Sequence, residues 1–232
     1  MQRVLVSGAN RGLGLEFTRQ LLARGDRVIA ACRHPGKAPA LTELAGAHPG
    51  HLHVLPLDLD KERSIAELAR EAGAVTDALD VLINNAGVLV SGERFGELGG
   101  KALVETFTSN VVGPLLLTQA LCPLLQKGKN AKVMNISSRL GSIGASSGFG
   151  TPSYAISKAA LNMATRQLSA ALAPAHVTVF CASPGWVRTD MGGSAATLSP
   201  QDSVTALLRR LDAVTPADAG RFLDFDGGDI PW

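Results

Sequence analysis

The stretch Ser7-Gly8-Ala9-Asn10-Arg11-Gly12-Leu13-Gly14 decides the fold of this chain. It follows an apolar run at 3–7 and opens an amphipathic stretch at 12–24, the pattern of a strand that turns directly into a helix. Glycines at these spacings allow a tight turn and the close approach of a pyrophosphate, and the helix start offers free N–H groups. Glycine turns are common, but this placement predicts a dinucleotide site. The residues predicted to form it are Gly8, Asn10, Arg11, Gly12, Leu13 and Gly14.

Short apolar runs alternate with longer amphipathic ones along the rest of the chain. Strands are predicted at 3–7, 27–31, 52–57, 81–83, 132–137, 178–182 and 221–223. Helices are predicted at 12–24, 38–46, 61–74, 100–126, 153–173 and 200–212. Strands that are apolar on both faces and separated by helices indicate an α/β fold, a Rossmann-type doubly wound parallel sheet of seven strands with helices on both faces. Such a sheet forms its ligand crevice at the carboxyl ends of its strands.

The composition suits a single domain over residues 1–232, with 46% hydrophobic and 18% charged residues. A net charge of +2 without blocks of like charge argues against a nucleic-acid or polybasic membrane surface. The three cysteines form no C-x-x-C pair, which indicates buried thiols in a reducing compartment, and the histidines show no metal-ligand spacing. A strand pattern begins at Gln2, and glycines and prolines interrupt the apolar stretch 111–125. We therefore expect a soluble, cytoplasmic protein.

The second predicted strand indicates which dinucleotide is bound. NAD-binding sheets place an acidic residue near the end of this strand, but here no carboxylate occurs between Val28 and Glu43. Arg33 can instead hold a 2′-phosphate with a forked, charge-assisted contact, and Arg11 can approach the same phosphate from the other side. The alternative for Arg33 is a solvated loop arginine. The pattern favours NADP(H) over NAD(H).

Further cofactor contacts are expected after the third and fourth strands. Asp58, followed by Leu59, is placed to accept a hydrogen bond from the adenine amino group. An N-cap of the next helix is the other role open to Asp58, although Asp60 is the better candidate for that cap. The string Asn84-Asn85-Ala86-Gly87 ends the fourth strand, where small residues let the backbone lie against the cofactor and an asparagine amide can tie neighbouring strands.

Tyr154, the only tyrosine, precedes Lys158 by four residues. In a helix this spacing places both side chains on one face. A cation beside a phenol favours phenolate, so we expect Lys158 to lower the pKa of Tyr154 and make it a useful proton donor. The alternative is an aromatic residue on a helix face with a solvated lysine one turn on.

Asn110 is singled out by Pro114, which follows it by four residues. Proline has no N–H, so the Asn110 carbonyl loses its helical partner, which invites a bound water and a kink. A purely structural proline kink is the alternative.

Taken together, these residues resemble the short-chain dehydrogenase/reductase family over nearly the whole chain. The resemblance rests on the glycine turn, Asp58, Asn84–Gly87, Asn110, Ser138, Tyr154-x-x-x-Lys158 and Pro184-Gly185 through Thr189. The stretches at 137–143, 157–162 and 226–232 are similar to those of the C-factor/sniffer-like carbonyl reductase branch.

The resemblance implies a role for each catalytic residue. Ser138 would bind the substrate carbonyl oxygen, whereas Ser137 is its rival with a structural role. Tyr154 would donate the proton as hydride arrives from the B face of the nicotinamide, and Lys158 would also hold the nicotinamide ribose. Water bound at Asn110 would pass protons toward Lys158. The nicotinamide carboxamide would be held by Pro184, Gly185, Val187 and Thr189.

Loops are expected to shape the substrate side. Residues 186–199 are glycine-rich and are predicted to form a mobile lid. Phe149, Trp186 and Met191 are candidate apolar walls, although each could serve only in packing. The loop 144–150 is longer than is usual in the family and should shape the substrate entrance.

Two functions other than carbonyl reduction fit parts of the sequence. Residues 144–148 fit the G-x-S-x-G pattern of serine hydrolases, but that elbow requires a strand directly before it and a helix directly after it. A cofactor-binding signalling protein of the C-factor type with little turnover is the stronger rival. The sequence favours an NADPH-dependent oxidoreductase that reduces a ketone or aldehyde, paired as a homodimer or homotetramer through the helices at 100–126 and 153–173.

Overall fold

The computed structural model describes all 232 residues, which are arranged around one seven-stranded sheet. The strands are β1 (Arg3–Ser7), β2 (Arg27–Cys32), β3 (Leu52–Pro56), β4 (Val81–Asn84), β5 (Lys132–Ile136), β6 (Thr178–Ser183) and β7 (Phe222–Asp224). The helices are α1 (Gly12–Ala23), α2 (Pro39–Ala47), α3 (Glu62–Val75), α4 (Gly100–Phe107), α5 (Gly113–Leu125), α6 (Pro152–Leu172) and α7 (Pro200–Ala213). A π-helical turn, Thr108–Val112, joins α4 to α5. The predicted elements are all present, with ends that differ by at most one residue, and the predicted helix 100–126 is divided into α4, the π-helical turn and α5.

All neighbouring strands pair in parallel, in the order β3-β2-β1-β4-β5-β6-β7. The predicted Rossmann-type sheet is thereby confirmed. The chain crosses to the other half of the sheet between β3 and β4, so β1 and β4 lie at the point where the strand order reverses. In open α/β sheets ligands bind at this point, outside the carboxyl ends of the strands.

Apolar layers cover both faces of the sheet. On one face, Phe17 and Leu21 of α1 and Leu207 of α7 belong to a buried cluster of 24 residues. On the other face, Leu68 of α3 and Leu117 of α5 belong to a cluster of 18. Helices on both faces explain why the strands have apolar residues at successive positions.

Asparagine side chains tie the centre of the sheet together. The Asn84 amide donates to Asn135 Oδ1 of the neighbouring strand at 2.8 Å, and the Asn85 amide donates to the Ser7 carbonyl at 2.9 Å. Asn135 in turn donates to the hydroxyl of Thr165 on α6 at 2.9 Å. The predicted strand-tying role of this string is confirmed, and the network also fixes α6 against the sheet.

The run Gly100–Leu125 is long and apolar enough to cross a membrane by length and composition. Half of its most apolar window is nevertheless buried inside the fold, and the side chains of Leu117 and Leu121 are fully covered. It packs as a core helix against α3 and the sheet.

Two local predictions are wrong. Asp60 does not cap α3: the capping position is Lys61, which makes no side-chain cap, and Asp60 Oδ1 instead accepts from the Ser109 hydroxyl at 2.5 Å. The thiols of Cys32 and Cys181 are buried, but Cys122 is only half-buried because it lies on the flank of α5.

Candidate active site

A cavity of about 210 Å³ runs along the carboxyl edge of the sheet. It joins the glycine turn to the first two turns of α6. Of the predicted site residues, it is lined by Gly8, Asn10, Arg11, Gly12, Leu13, Arg33, Asp58, Leu59, Asn85, Ala86, Gly87, Tyr154, Lys158, Pro184 and Thr189. The predicted residues outside its lining are Gly14, Asn110, Ser138, Gly185 and Val187.

The glycine turn fits a pyrophosphate. Gly8 has φ +67°, and a Cβ there would lie 2.9 Å from Ala86 Cα, so a side chain would close the cradle. A Cβ on Gly14 would lie 2.2 Å from the Gly8 carbonyl oxygen, so Gly14 serves the close packing of α1 on the turn. The N-cap residue of α1, Arg11, makes no side-chain cap bond. The first N–H groups of the helix therefore remain available to an anion.

The two predicted phosphate-binding arginines differ in their surroundings. Arg33 lies just beyond β2, is exposed on the cavity wall and makes no ion pair. Arg11 is paired with Asp190, with Nη1 2.7 Å from Oδ2. Only Arg33 thus presents an unpaired guanidinium to the cavity, and Arg11 must leave Asp190 before it can reach a phosphate.

Asp58 lines the cavity where the adenine contact was expected. Lys61 Nζ lies 2.8 Å from its Oδ2, and this hydrogen-bonded cation holds the pKa of the carboxyl below its usual range. Asp58 is therefore an ionised acceptor at neutral pH.

Tyr154 and Lys158 lie on one face of α6, as the spacing predicts. Their exposed fractions are 8% and 3%, and Lys158 Nζ lies 5.5 Å from the centre of the phenol ring. The ammonium donates to the carbonyl of Ile136, the last residue of β5, at 2.8 Å. The solvated-lysine alternative is excluded by this burial.

The predicted direction of the Tyr154 pKa shift is wrong. Burial raises the pKa of Tyr154 to about 12, opposed only by its interaction with the Ser138 hydroxyl. Burial also lowers the pKa of Lys158 to about 8. Desolvation disfavours the charged form of each group and is the largest cause of both pKa shifts. The phenol is therefore fully protonated at neutral pH, while the lysine still carries most of its charge.

The two serines after β5 have different environments. The Ser137 hydroxyl is buried and donates to Asn162 Oδ1 at 2.6 Å, which fits the structural role implied for it. Ser138 is half-buried, accepts from the Leu140 N–H at 3.2 Å and interacts with the Tyr154 hydroxyl. Its position beside that phenol favours Ser138 as the residue that meets the substrate oxygen.

Asn110 lies in the π-helical turn, so the helix disruption predicted from Pro114 takes this form. Its Oδ1 accepts from the Val88 N–H at 2.8 Å, and its amide donates to the Val88 carbonyl and the Ser157 hydroxyl, both at 2.9 Å. Three such bonds fix the start of the loop after β4 against α6. The role of Asn110 in holding a water stays a prediction.

The loop after β6 is ordered by its own hydrogen bonds. Arg188 N–H donates to the Leu198 carbonyl at 2.9 Å, and Leu198 N–H donates to the Trp186 carbonyl at 3.0 Å. Gly185, with φ +75°, packs beside Leu198, while Val187 is buried. The structure contains one arrangement of residues 186–199, so their predicted mobility stays a prediction.

Of the three candidate apolar walls, only Met191 lines the cavity. Trp186 is 55% exposed, and its indole N–H donates to the Gly192 carbonyl at 2.8 Å. Phe149 meets the ring of Phe95 edge-on at 5.8 Å between ring centres. Residues 144–148 do not form a hydrolase elbow, because no strand lies directly before them and no helix begins directly after them.

Comparisons with known proteins agree with this geometry. The family model described as short chain dehydrogenase matches residues 2–198. The chain belongs to the short-chain dehydrogenase/reductase family.

C-signal of Myxococcus xanthus is 44% identical over 157 residues, which cover 68% of this chain and 95% of that protein. The NADPH-bound carbonyl reductase from chicken fatty liver is 36% identical at a TM-score of 0.95, with 100% of this chain and 99% of that one covered. The carbonyl reductase Sniffer of D. melanogaster is 34% identical at a TM-score of 0.96, with both chains covered over 100%. These relatives confirm the C-factor/sniffer-like branch within this dehydrogenase/reductase family.

The cavity also includes residues that sequence reasoning missed. They are Cys32, Leu57, Asp60, Val88, Ser109, Ile136, Ser137 and Asp190, of which Asp60 and Ser137 had been considered for other roles. Most end a strand or follow one, so the position of the strand ends in the sequence could have indicated them. Ser109 reaches the site from a helix and Asp190 from a loop, so a position at a strand end could not have indicated either residue.

The single tyrosine allows its pKa to be measured directly in the cofactor-free protein. We expect ultraviolet difference absorbance to show little ionisation at pH 10.0, the ordinary phenol value, because the folded pKa is about 12. Since the folded pKa lies above the unfolded one, the stability that this phenol contributes is present below pH 10 and is lost as the pH rises toward 12. Ser138→Ala should raise the pKa further. Half-ionisation at or below pH 10 in the folded protein would show that Lys158, and not burial, controls the phenol.

Proposed function

We propose that this chain is an NADPH-dependent carbonyl reductase, which converts a ketone or aldehyde to an alcohol and also catalyses the reverse oxidation. The observation that carries the proposal is the position of the neutral Tyr154 phenol, which lies beside Ser138 and lines the same cavity as the glycine turn and Arg33. The family match and the carbonyl reductases among the structural neighbours support the same conclusion.

NADPH, when bound, supplies the hydride. The Ser138 and Tyr154 hydroxyls hold the carbonyl oxygen, and the phenol releases its proton as that oxygen gains negative charge. A pKa of about 12 keeps the phenol protonated until then, so the donor is in the form that reduction requires. The Lys158 ammonium stabilises the resulting phenolate, and it can do so strongly because the site is shielded from water.

Exposed apolar side chains on the loops that follow the strands favour an apolar substrate of small or medium size. Met191 lines the cavity, while Phe95, Phe149 and Trp186 are on the loops after β4, β5 and β6, and all four are at least 44% exposed. An apolar ligand that covers such side chains removes apolar surface from water, which favours binding.

A signalling protein with little turnover remains the second candidate, and its support is the similarity to C-signal. The complete set of Asn110, Ser138, Tyr154 and Lys158 favours the enzyme, because cofactor binding alone requires no proton donor. We also propose a single cytoplasmic domain in which residues 186–199 act as a lid.

Tyr154→Phe should lower kcat for NADPH-dependent reduction by about 10²–10⁴-fold, because general acid catalysis is lost. Ser138→Ala should act on the same step, whereas Ser137→Ala should mainly lower stability, because it leaves Asn162 without its buried donor. Initial rates with a panel of aldehydes and ketones measure these effects. Cofactor binding without any turnover would support the signalling protein, and a larger loss of kcat in Ser137→Ala than in Ser138→Ala would reverse the assignment of the serines.

Arg33→Ala should weaken NADPH binding far more than NADH binding, because only NADPH carries the 2′-phosphate. Fluorescence titration with both cofactors measures the ratio. Arg27→Ala, which removes an exposed arginine from the other end of β2, is the matched control and should change neither affinity. Equal losses for NADPH and NADH in Arg33→Ala would contradict the phosphate-binding role.

A homodimer or a dimer of dimers is expected, because α4 and α6 expose large apolar side chains. Val104, Phe107, Ile156 and Met163 are between 42% and 65% exposed. Multi-angle light scattering should give at least twice the 24.1 kDa mass of one chain. A monomer at all concentrations would reject this assembly.

A further inference from the structure

The helix that carries Tyr154 and Lys158 lacks a local cap at its N-terminus. Thr151, which precedes α6, lies in the left-handed region at φ 42° and makes no side-chain hydrogen bond to the first turn. In contrast, α7 is capped by Ser199, whose hydroxyl accepts from the Asp202 N–H at 3.0 Å. An uncapped first turn leaves backbone N–H groups that need partners from elsewhere.

Glu93 provides that partner from 60 residues earlier in the chain. Its Oε2 accepts from the Ser153 N–H at 3.1 Å, and its Oε1 accepts from the Ser153 hydroxyl. Ser153 is 2% exposed, and Glu93 is the only half-buried residue of 91–100, since the other nine are exposed. A carboxylate at the N-terminus of a helix is favoured by the helix dipole and by charge-assisted hydrogen bonds. The contact therefore has the features of a cap delivered by a distant loop.

The loop that carries Glu93 is fastened at two further points. At its start, Asn110 makes two hydrogen bonds to the backbone of Val88, at 2.8 and 2.9 Å. Beyond Glu93, Phe95 packs edge-on against Phe149 at 5.8 Å. The loop is thus attached to the π-helical turn, to the start of α6 and to the loop 144–150.

We propose that Glu93 is a positioning residue for carbonyl reduction, because it fixes the first turn of α6 and so the aim of the Tyr154 hydroxyl. The inference rests on the proposed reductase function. Tyr154 directly follows Ser153, so a displaced first turn moves the phenol with it. A misplacement of about 1 Å can lower a rate about 10²-fold. Glu93 does not line the cavity and acts through the helix, without contact to the cofactor site.

The test compares Glu93→Ala, Glu93→Gln and Glu97→Ala. Glu97 is an exposed glutamate on the same loop whose side chain makes no hydrogen bond, so it is the matched control. We expect Glu93→Ala to lower kcat about 10–100-fold while the Kd for NADPH changes less than about twofold. Amide hydrogen exchange of residues 153–158 in the cofactor-free protein should become about tenfold faster. Glu93→Gln retains an oxygen for the Ser153 N–H and should recover most of both effects, and Glu97→Ala should show neither.

Turnover and amide hydrogen exchange together distinguish a failure of the reductase function from a failure of the positioning role. A wild-type chain that turns over no carbonyl compound refutes the reductase, while the exchange measurement still tests the cap. An unchanged kcat or unchanged exchange in Glu93→Ala overturns the positioning role. A loss of kcat that is matched by loss of NADPH binding also overturns it, because it shows a general structural effect. Should Glu93→Ala fail to fold, Ser153→Ala, which removes only the hydroxyl contact, is measured in the same way and should give a smaller change in the same direction.

Discussion

The buried hydrogen bond from the Lys158 ammonium to the Ile136 carbonyl is the contact on which the site depends. It brings a cation to the carboxyl end of β5, at the centre of the crevice that the parallel sheet creates. The same burial keeps the Tyr154 phenol neutral, since both groups resist the charged form. The proposed proton donor and the cation that would stabilise its conjugate base are therefore held together in a buried part of the site.

This arrangement changes the role of the lysine. A lysine that lowered the phenol pKa in the resting protein would favour phenolate, which cannot donate a proton. In the proposed reaction, burial keeps the proton on Tyr154, with a pKa of about 12, until negative charge develops on the substrate oxygen. The electrostatic stabilisation by Lys158 is then strongest when the proton is transferred, which is the condition for lowering a barrier and not merely for binding.

The sequence predicts the sheet and the main site residues because both depend on local patterns. Apolar runs define the strands, the glycine turn identifies the first of them, and the spacing of Tyr154 and Lys158 places them on one helix face. Burial and long-range contacts are not encoded locally. The pKa of Tyr154 depends on how deeply α6 packs, and the Arg11–Asp190 pair joins residues 179 apart. The cap that Glu93 gives to α6 could not be predicted for the same reason.

A crystal structure of the chain with NADPH bound would show whether Tyr154 is placed to donate the proton. We expect the Tyr154 and Ser138 hydroxyls both to face the space beside the nicotinamide carbon that carries the hydride, with Lys158 still bonded to Ile136 or turned to the ribose. A Tyr154 hydroxyl that points away from the nicotinamide, in a pocket too closed for the ring to turn, would exclude Tyr154 as the proton donor.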